Sequence, residues 1–431
     1  MKKILLAAFA ALVTVSTLAH AGPKIEHWVA PSGARVYFVE THVLPILDVA
    51  VDFAAGTVYG APDKTGVAGL TRSLLEAGAG SLDEEHISAK LVDIGARMSG
   101  SADADRAGMS LRTLSSKPER EAALELLRTV LAAPTFPESV LVREKARAVA
   151  AIRESDTRPD SIAAKRFAAA IYPNHPYGAS ATVESVERIG RDDLVAFHRD
   201  NYSAKRAVVA IIGDVSRAEA EAIAQRLTEG LPAGRADAAV PAVTKPARDT
   251  LKIAHPATQS HIHIGAPAIA RNDPDYYALL LGNYVLGGGG FVSRLMQEVR
   301  EKRGYAYSVY SYFAPRKLPG PFEIGLQTKR EQAGDAIKVV EEVLAKFLAD
   351  GPSEKELAAA KSNLVDGLAL RIDSNAKILG YLSAIGFYGL PLTYLDDFPA
   401  KINAVTTKDV KAAFARHVKP EHLVTVIVAA D

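Results

Sequence analysis

The sequence predicts an α+β protein made of two tandem repeats of one domain, each a mainly antiparallel sheet with helices packed on one face. The chain has 431 residues, enough for about two to four domains of ordinary size. An internal repeat divides it into two halves, and within each half apolar β-runs are segregated from amphipathic helical runs. With 48% hydrophobic and 23% charged residues, it has the composition of an ordinary globular protein.

The repeat has a constant offset of 216 residues. The first members of the matched pairs are Glu138, Lys145, Tyr172, Asp193, Val208 and Ile211, and the second members are Glu354, Lys361, Tyr388, Asp409, Val424 and Ile427. Between the halves, residues 230–250 are rich in Pro and Ala and have no steady periodicity, which is typical of a linker. We therefore predict an N-terminal domain over 24–230, a linker over 231–249 and a C-terminal domain over 250–431.

The elements of each half follow from periodicity. Alternating or continuous apolar runs predict strands, and spacing of three and four residues predicts helices. The predicted strands are Arg35–Val39, Leu47–Phe53, Arg106–Thr113, Ala207–Ile212 and Leu423–Val428. The predicted helices are Gly66–Ala77, two within 119–153 separated at Ala133-Pro134, Ala336–Phe347 and one beginning after Ser353-Glu354.

The N-terminus has the pattern of an export signal. Two lysines precede an apolar run from Ile4 to Leu18, and Ala19-His20-Ala21 places small residues where a signal peptidase cleaves. A membrane-spanning helix needs about 20 apolar residues, more than this run supplies. We predict cleavage after Ala21, export to the periplasm and no membrane insertion of the mature chain.

Charge and cysteine content exclude several classes of function. Fifty-one basic and fifty acidic residues leave a formal charge of +1, without the basic excess of a nucleic-acid-binding protein. The chain has no cysteine, which excludes disulfides, Cys-ligated zinc, iron–sulfur clusters and thiol catalysis. Any metal site must therefore use His, Asp or Glu.

A long composite motif lies in the second half. It comprises Leu286 with four glycines, Gly287–Gly290, then Ser293-Arg294-Leu295, and then an unbroken run over 299–308 that reads Val-Arg-Glu-Lys-Arg-Gly-Tyr-Ala-Tyr-Ser. Apolar residues at 292, 295, 296 and 299 predict one buried helix face. Gly304 is expected to end this helix, and a strand is expected over 305–313. Arg300 in the last helical turn and Tyr307 near the strand start are then expected on the same side.

The glycine run itself has two interpretations. A phosphate-binding loop requires Gly-Lys-Ser/Thr after the glycines, and this sequence lacks it. We therefore expect Gly287–Gly290 to let the turn approach neighbouring backbone closely.

The order of elements and the composite motif closely resemble the inverted-motif zinc peptidases of the pitrilysin and mitochondrial-processing-peptidase type. The resemblance implies that the first helix should carry His-x-x-Glu-His, two zinc ligands and a general base, with a further acid downstream. Here Gly69, Arg72 and Ser73 occupy those helix positions, and residues 148–151 read Ala-Val-Ala-Ala. Because these side chains are poor zinc ligands, we expect the helix to be structural and the chain to bind no metal.

Other histidines offer weaker metal candidates. His417 and His422 flank Glu421 with one residue too many for the inverted motif, and Pro420 interrupts the helix that would align them. His261 and His263 share one face of a strand, but two ligands alone make a weak site. We interpret the first group as a surface turn and the second as histidines on the sheet surface.

The resemblance assigns a role to Arg300 and Tyr307. In the family, these two positions reach across a cleft to a zinc site in the other half of a clamshell, bind substrate carbonyls and stabilise charge on the reacting carbonyl. The chain thus resembles the non-zinc subunit of a periplasmic heterodimeric zinc metallopeptidase, in which zinc is bound by a homologous partner carrying His-x-x-Glu-His and the substrate is a peptide. Two alternatives remain. The first is that the protein is a non-enzymatic scaffold or peptide-binding protein of the same fold. The second concerns the pair alone: Arg300 is a helix-terminal arginine favoured by the helix dipole, and Tyr307 is an ordinary strand tyrosine.

Overall fold

A computed structural model describes residues 22–235 and 240–429. The predicted signal segment, residues 1–21, lies outside the described residues, as do positions 236–239 of the predicted linker. Within the described ranges, no helix is both long and apolar enough to cross a membrane.

The first half forms a six-stranded sheet in the order β1-β2-β8-β3-β7-β6, with the pair β4-β5 beside it. Its strands are β1 (Glu26–Val29), β2 (Arg35–Glu40), β3 (Ile46–Phe53), β4 (Gly78–Ala79), β5 (Leu82–Asp83), β6 (Arg97–Ala102), β7 (Ala107–Leu114) and β8 (Ala207–Gly213). Its helices are α1 (Val67–Ser73), α2 (Glu84–Asp93), α3 (Lys117–Ala132), α4 (Glu138–Ser155), α5 (Pro159–Ile171), α6 (Val183–Glu187), α7 (Arg191–Asn201) and α8 (Arg217–Glu229). Strands β2 and β8 are parallel, and the other neighbours in the six-stranded sheet are antiparallel.

The second half forms a five-stranded sheet in the order β11-β12-β10-β13-β9. Its strands are β9 (Asp249–Ile253), β10 (Gln259–Ile269), β11 (Ala306–Phe313), β12 (Gly320–Lys329) and β13 (Val424–Val428). Its α-helices are α9 (Tyr276–Asn283), α10 (Ala333–Asp350), α11 (Glu354–Asp366), α12 (Leu368–Arg371), α13 (Asn375–Tyr388), α14 (Tyr394–Ala404) and α15 (Thr407–His417). Two π-helical segments, Tyr284–Gly288 and Met296–Glu301, lie between α9 and β11.

The predicted fold class is confirmed, because each half is a mainly antiparallel sheet with helices packed against it. The strand bounds agree with the apolar runs to within one residue, since continuous burial along β3, β8 and β13 leaves little ambiguity. The predicted helix over 66–77 is interrupted: α1 ends at Ser73, and a 3-10 turn follows at Leu75–Ala77.

Each half contributes one helix to the other half's sheet. Helix α13 packs on β8, β3 and β2, where Leu382 and Ile385 share a buried cluster with Val208 and Ala210. Helix α5 packs on β10 and β13. Its Phe167 belongs to the same buried cluster as Val424 and Val426 of β13. The first residues of α5 and α13 are separated by the repeat offset. The exchange is therefore part of the duplicated unit and covers the second face of each sheet.

Repeated residues make the same contacts in both halves. The Lys145 ammonium donates to the backbone carbonyls of Glu187 and Ile189 at 2.9 and 2.6 Å. The Lys361 ammonium donates to the carbonyl of Asn403 at 2.8 Å, and Asn403 stands at the repeat position of Glu187. Lys145 thus ties α4 to the end of α6, and Lys361 ties α11 to the end of α14.

The repeated tyrosines join the two halves. The Tyr172 hydroxyl donates to the Pro319 carbonyl at 3.0 Å in the β11–β12 loop. The Tyr388 hydroxyl lies 3.3 Å from a carboxylate oxygen of Asp105 in the β6–β7 loop. Each exchanged helix thus ends at a tyrosine that bonds to the hairpin loop of the opposite half.

A buried polar cluster lies beneath the α13 contact. Ser383 of α13 donates to the carboxylate of Asp52 in β3, and the Arg106 guanidinium donates to the Ser383 hydroxyl at 2.6 Å. Burial raises the pKa of Asp52, and the charge of Arg106 partly opposes this rise. Because a buried polar group is costly without partners, this cluster fixes the position of α13 on the sheet.

Candidate functional site

Arg300 lies in the last turn of the π-helical segment Met296–Glu301. Gly304 follows with φ +65°, and its amide donates to the Arg300 carbonyl at 2.9 Å. The Tyr305 amide donates to the Val299 carbonyl at 3.0 Å. This is a left-handed C-terminal cap, the geometry that glycine adopts most readily, so the predicted role of Gly304 is confirmed.

The prediction that Val292 lies on the buried helix face is wrong. Leu295, Met296 and Val299 are buried, but Val292 is 63% exposed and belongs to the 3-10 turn Gly290–Val292. The Ser293 hydroxyl and amide both donate to the Gly290 carbonyl, at 2.7 and 3.0 Å. Gly290 has φ +62°, so a tight turn replaces the first helical turn that the spacing predicted.

Tyr307 lies at a β-bulge on an edge strand. Ala306 pairs with Thr328 and Val309 with Leu326, so the register between β11 and β12 shifts by one residue across Tyr307. Strand β11 lies at the edge of the described sheet, next to β12, and the Tyr307 side chain is 85% exposed. Bulges at sheet edges redirect side chains and are common beside active sites, and here the bulge directs the phenol ring into solvent.

Arg300 and Tyr307 are adjacent in space. The Arg300 Cζ lies 4.8 Å from the centre of the Tyr307 ring and 4.7 Å from the centre of the Phe291 ring. Both distances are within the range of cation–π attraction. The guanidinium and the phenol thus form one partly exposed group of hydrogen-bond donors at the N-terminal start of β11.

The glycine run packs directly against β11. A Cβ added to Gly287 would lie 2.5 Å from the Ser311 hydroxyl and 2.6 Å from the Ser311 amide. Asn283, which precedes this segment, donates its side-chain amide to the Ser311 carbonyl at 3.0 Å and accepts from the Ser311 hydroxyl at 2.8 Å. The predicted close backbone approach is confirmed, and it holds the turn against the strand that carries Tyr307.

Arg294, from the same motif, has a structural role. Its guanidinium makes two bonds of 2.7 Å to the carboxylate of Glu356 and donates to the Gly351 carbonyl at 3.0 Å. Glu356 also closes the capping box of α11 with Ser353. The bonds from Arg294 are the main cause that lowers the pKa of Glu356 to about 2. This pair anchors the start of the Arg300 helix to α11.

The helix at the family's zinc position carries an arginine where the family has its general base. A Cβ added to Gly100 of β6 would lie 2.1 Å from the Arg72 Nε, so the Arg72 side chain runs across this glycine. The Arg72 guanidinium lies 3.6 Å from the Glu76 carboxylate. Burial raises the pKa of Glu76, against the opposing effect of Arg72. The Arg72 guanidinium thus places a permanent positive charge beside α1, where the family binds zinc, and this charge would repel a dication.

The remaining residues around this helix do not fit zinc. Gly69 has no ligand atom, Ser73 offers only a neutral hydroxyl, and α4 carries alanine and valine over residues 148–151. A cleft of about 480 Å³ lies beside Ser73. Four of its charged side chains pair with each other: Arg143 donates to Glu84 and Glu144, and Arg147 donates to Glu144. We therefore assign this chain no zinc site at α1.

His261 and His263 face the exchanged helix α5. The His263 ring stacks on Phe167 with 5.5 Å between ring centres, and its Nδ1 lies 2.7 Å from the buried Glu323 carboxylate. Burial lowers the pKa of His261. The prediction that these histidines lie on the sheet surface holds only in part, because a helix from the first half covers that surface.

The most compact group of possible metal ligands in the described ranges is Asp273, Asp275 and His417. Arg416 bonds both carboxylate oxygens of Asp275 at 2.7 and 2.6 Å and lowers its pKa. His417 contacts Asp275 through Nε2 at 2.9 Å and the Ala268 carbonyl through Nδ1 at 3.0 Å. Because the two side chains at 416 and 417 already satisfy this carboxylate, the group is explained as an ion-pair cluster at the end of α15.

Two features of the site were missed in the sequence. Phe291 follows the glycine run, and an aromatic residue beside a glycine turn is a weak signal that could have suggested an exposed ring. The Arg294–Glu356 pair joins positions 62 residues apart, and no local pattern marks such a contact.

The comparisons with known proteins agree with the fold. Residues 35–183 match the family described as insulinase (peptidase family M16), and residues 188–364 match the peptidase M16 inactive domain. A solved structure from Pseudomonas fluorescens, described as a peptidase M16 inactive domain, is 39% identical. It superposes with a TM-score of 0.91 over 94% of this chain and 98% of that one.

Two relatives carry different descriptions. A Bacillus subtilis protein named as an uncharacterized zinc protease is 24% identical over 82% of this chain and 86% of its own length. A Helicobacter pylori protein named as a non-peptidase homolog is 24% identical over 91% of both chains. Fold, composite motif and family matches agree that this chain belongs to the peptidase M16 family, as a homologue of the inactive type.

Proposed function

We propose that this protein is the non-zinc subunit of a periplasmic heterodimeric zinc metallopeptidase and contributes Arg300 and Tyr307 to the active site of its partner. The main support for this proposal is the contrast between two sites in this chain, the helix α1 at the family's zinc position and the Arg300–Tyr307 pair. Residues at the zinc helix cannot ligate the metal, whereas Arg300 and Tyr307 are adjacent, accessible and held by a well-bonded turn.

The chemistry of the pair suits peptide hydrolysis. A guanidinium offers several donors in a rigid plane and a permanent charge, which suits binding of backbone carbonyls. A phenol offers one directed donor, and donors aimed at a developing oxyanion lower the barrier most where charge accumulates. In the described residues, no carboxylate pairs with Arg300 and no hydrogen bond engages the Tyr307 hydroxyl, so both are available to a substrate.

The partner in this proposal is a homologous subunit with an intact His-x-x-Glu-His helix, and the zinc belongs to that subunit. When bound there, zinc polarises the scissile carbonyl and activates water. The predicted signal would direct export of this chain to the periplasm, with cleavage after Ala21. Its own contribution is to orient the peptide and stabilise charge on the carbonyl.

The second candidate is a non-enzymatic scaffold or peptide-binding protein of the same fold. The non-peptidase description of the Helicobacter pylori relative favours it. In that case Arg300 and Tyr307 are not used in catalysis, and their replacement changes no partner's activity.

Reconstitution distinguishes the two candidates. The chain alone, with added zinc, should not cleave peptides. With the co-purified His-x-x-Glu-His partner, Arg300→Ala and Tyr307→Phe should each lower kcat about 10²–10³-fold, the effect of losing one oxyanion donor. Tyr310→Phe is the matched control, because Tyr310 lies on the same edge strand, is 40% exposed and loses the same hydroxyl. Unchanged kcat in both site variants, or strong activity of the lone chain, would refute the proposal.

A further inference from the structure

In the described part of the chain, Arg300 is held by two aromatic rings and by no acidic side chain. Its Cζ lies 4.7 Å from the ring centre of Phe291 and 4.8 Å from that of Tyr307. Among the described residues, no ion pair or side-chain hydrogen bond involves its guanidinium. Arginine has many rotamers in water, so these ring contacts are the interactions that restrict its position.

Phe291 makes its contact from an unusual place. The ring is 62% exposed, although burial is the ordinary state of phenylalanine. The turn that carries it is fixed: Gly290 has φ +62°, and the buried Ser293 donates both hydroxyl and amide to the Gly290 carbonyl. A well-bonded turn thus holds an exposed apolar ring within cation–π distance of Arg300.

The contact leaves the hydrogen-bonding capacity of Arg300 intact. Cation–π attraction arises from the quadrupole of the ring and requires no N–H hydrogen bond, so the guanidinium keeps its donors. A carboxylate partner would occupy those donors. The ring therefore orients the cation and keeps its N–H groups available.

We infer that Phe291 is a positioning residue for Arg300. The inference rests on the proposed function, because Arg300 is the group that contacts substrate. Cation–π attraction strengthens when water is removed from around the pair. Closure of a partner over this surface would then hold the guanidinium more firmly, in the position where it meets a peptide carbonyl.

The test compares variants at residue 291 with a matched neighbour. Phe291→Leu keeps an apolar side chain and removes the ring, whereas Phe291→Trp keeps a ring. Val292→Ala is the control, because Val292 is equally exposed on the same turn. In the reconstituted complex, Phe291→Leu should lower kcat about 3- to 30-fold with little change in KM, and Phe291→Trp should restore it.

A double-mutant cycle separates positioning from direct contact with the peptide. In an Arg300→Ala background, Phe291→Leu should cause no further loss, because the ring acts through the missing cation. Equal losses in both backgrounds would show that Phe291 acts independently of Arg300 and would overturn the inference. Wild-type kcat in Phe291→Leu would do the same.

A measurement on the isolated chain keeps this inference distinct from the proposed function. The ¹⁵N–H resonance of the Arg300 Nε should shift, and its exchange with water should quicken, in Phe291→Leu but not in Val292→Ala. An unchanged resonance overturns the role of Phe291 even if Arg300 proves essential. A shifted resonance together with silent Arg300→Ala kinetics leaves the contact in place and refutes the proposed function instead.

Discussion

Two arginines from the same motif have opposite environments. Arg294 makes three hydrogen bonds, two to the Glu356 carboxylate and one to the Gly351 carbonyl, whereas Arg300 lies against two aromatic rings and pairs with no carboxylate among the described side chains. An arginine whose charge is paired with a carboxylate is less available to a substrate carbonyl than one without such a partner. At the residue scale, the motif therefore contains a structural arginine and an available one.

The first prediction concerns stability and its dependence on pH. Arg294→Met should lower the free energy of unfolding by about 1–3 kcal/mol at neutral pH, because it leaves a partly buried carboxylate without its partner. Arg300→Met should change it by less than about 0.5 kcal/mol. Urea unfolding of the isolated chain measures both.

The sign of the pH effect follows from Glu356. Its pKa is lowered from 4.5 to about 2 by Arg294, so the unfolded chain binds more protons between those values. The stabilisation is complete above pH 4.5 and is lost as the pH falls towards 2. The difference in unfolding free energy between wild type and Arg294→Met should therefore stay constant above about pH 4.5 and narrow as the pH falls from there towards 2. A difference that stays constant over this fall in pH contradicts this assignment.

The exchanged helices explain why the two halves are bound together. On α13, Gly386 faces the sheet closely: an added Cβ would lie 2.4 Å from a Val208 methyl and 2.6 Å from the Tyr37 ring. Gly380 on the same helix is exposed and has no atom within 4 Å of its added Cβ. One glycine is thus required by packing and the other is not.

The second prediction uses this pair. Gly386→Ala should destabilise the protein by about 1–3 kcal/mol through overpacking, even though alanine is the better helix former. Gly380→Ala should be neutral or should stabilise by up to about 1 kcal/mol. Thermal unfolding of the two variants gives the comparison, and equal Tm values would show that α13 is not packed on the first sheet as described.

The third prediction concerns the whole molecule. Expressed alone, residues 22–235 lack α13 and expose an apolar face of β2, β3 and β8, and residues 240–429 lack α5. Each half should be poorly folded and should bind a hydrophobic dye, whereas the two halves mixed should recover the native circular dichroism. The full chain should unfold in one cooperative transition. Independent folding of either half would contradict the exchange.

Much of this architecture could be predicted from the sequence, and the reasons are local. A continuous apolar run such as Ala207–Ile212 favours a single assignment, a buried strand. The repeat indicates two equivalent halves. The helix exchange could not be predicted, because the apolar face of α13 does not reveal which sheet it covers. The adjacency of Arg300 and Tyr307 followed from a glycine turn between a helix and a strand. The π-helical winding has no local signal in the sequence, and the bulge at Tyr307 depends on the register between β11 and β12.

The central claim is that the Arg300–Tyr307 surface meets the zinc helix of another chain. Photo-crosslinking from position 307 tests it most directly: a photoreactive phenylalanine analogue replaces Tyr307, and the protein is irradiated in extracts of its native host. The account predicts a crosslink to a homologous chain, mapped by mass spectrometry to the neighbourhood of its His-x-x-Glu-His helix. Crosslinks confined to this chain, or to a protein without that motif, would contradict it.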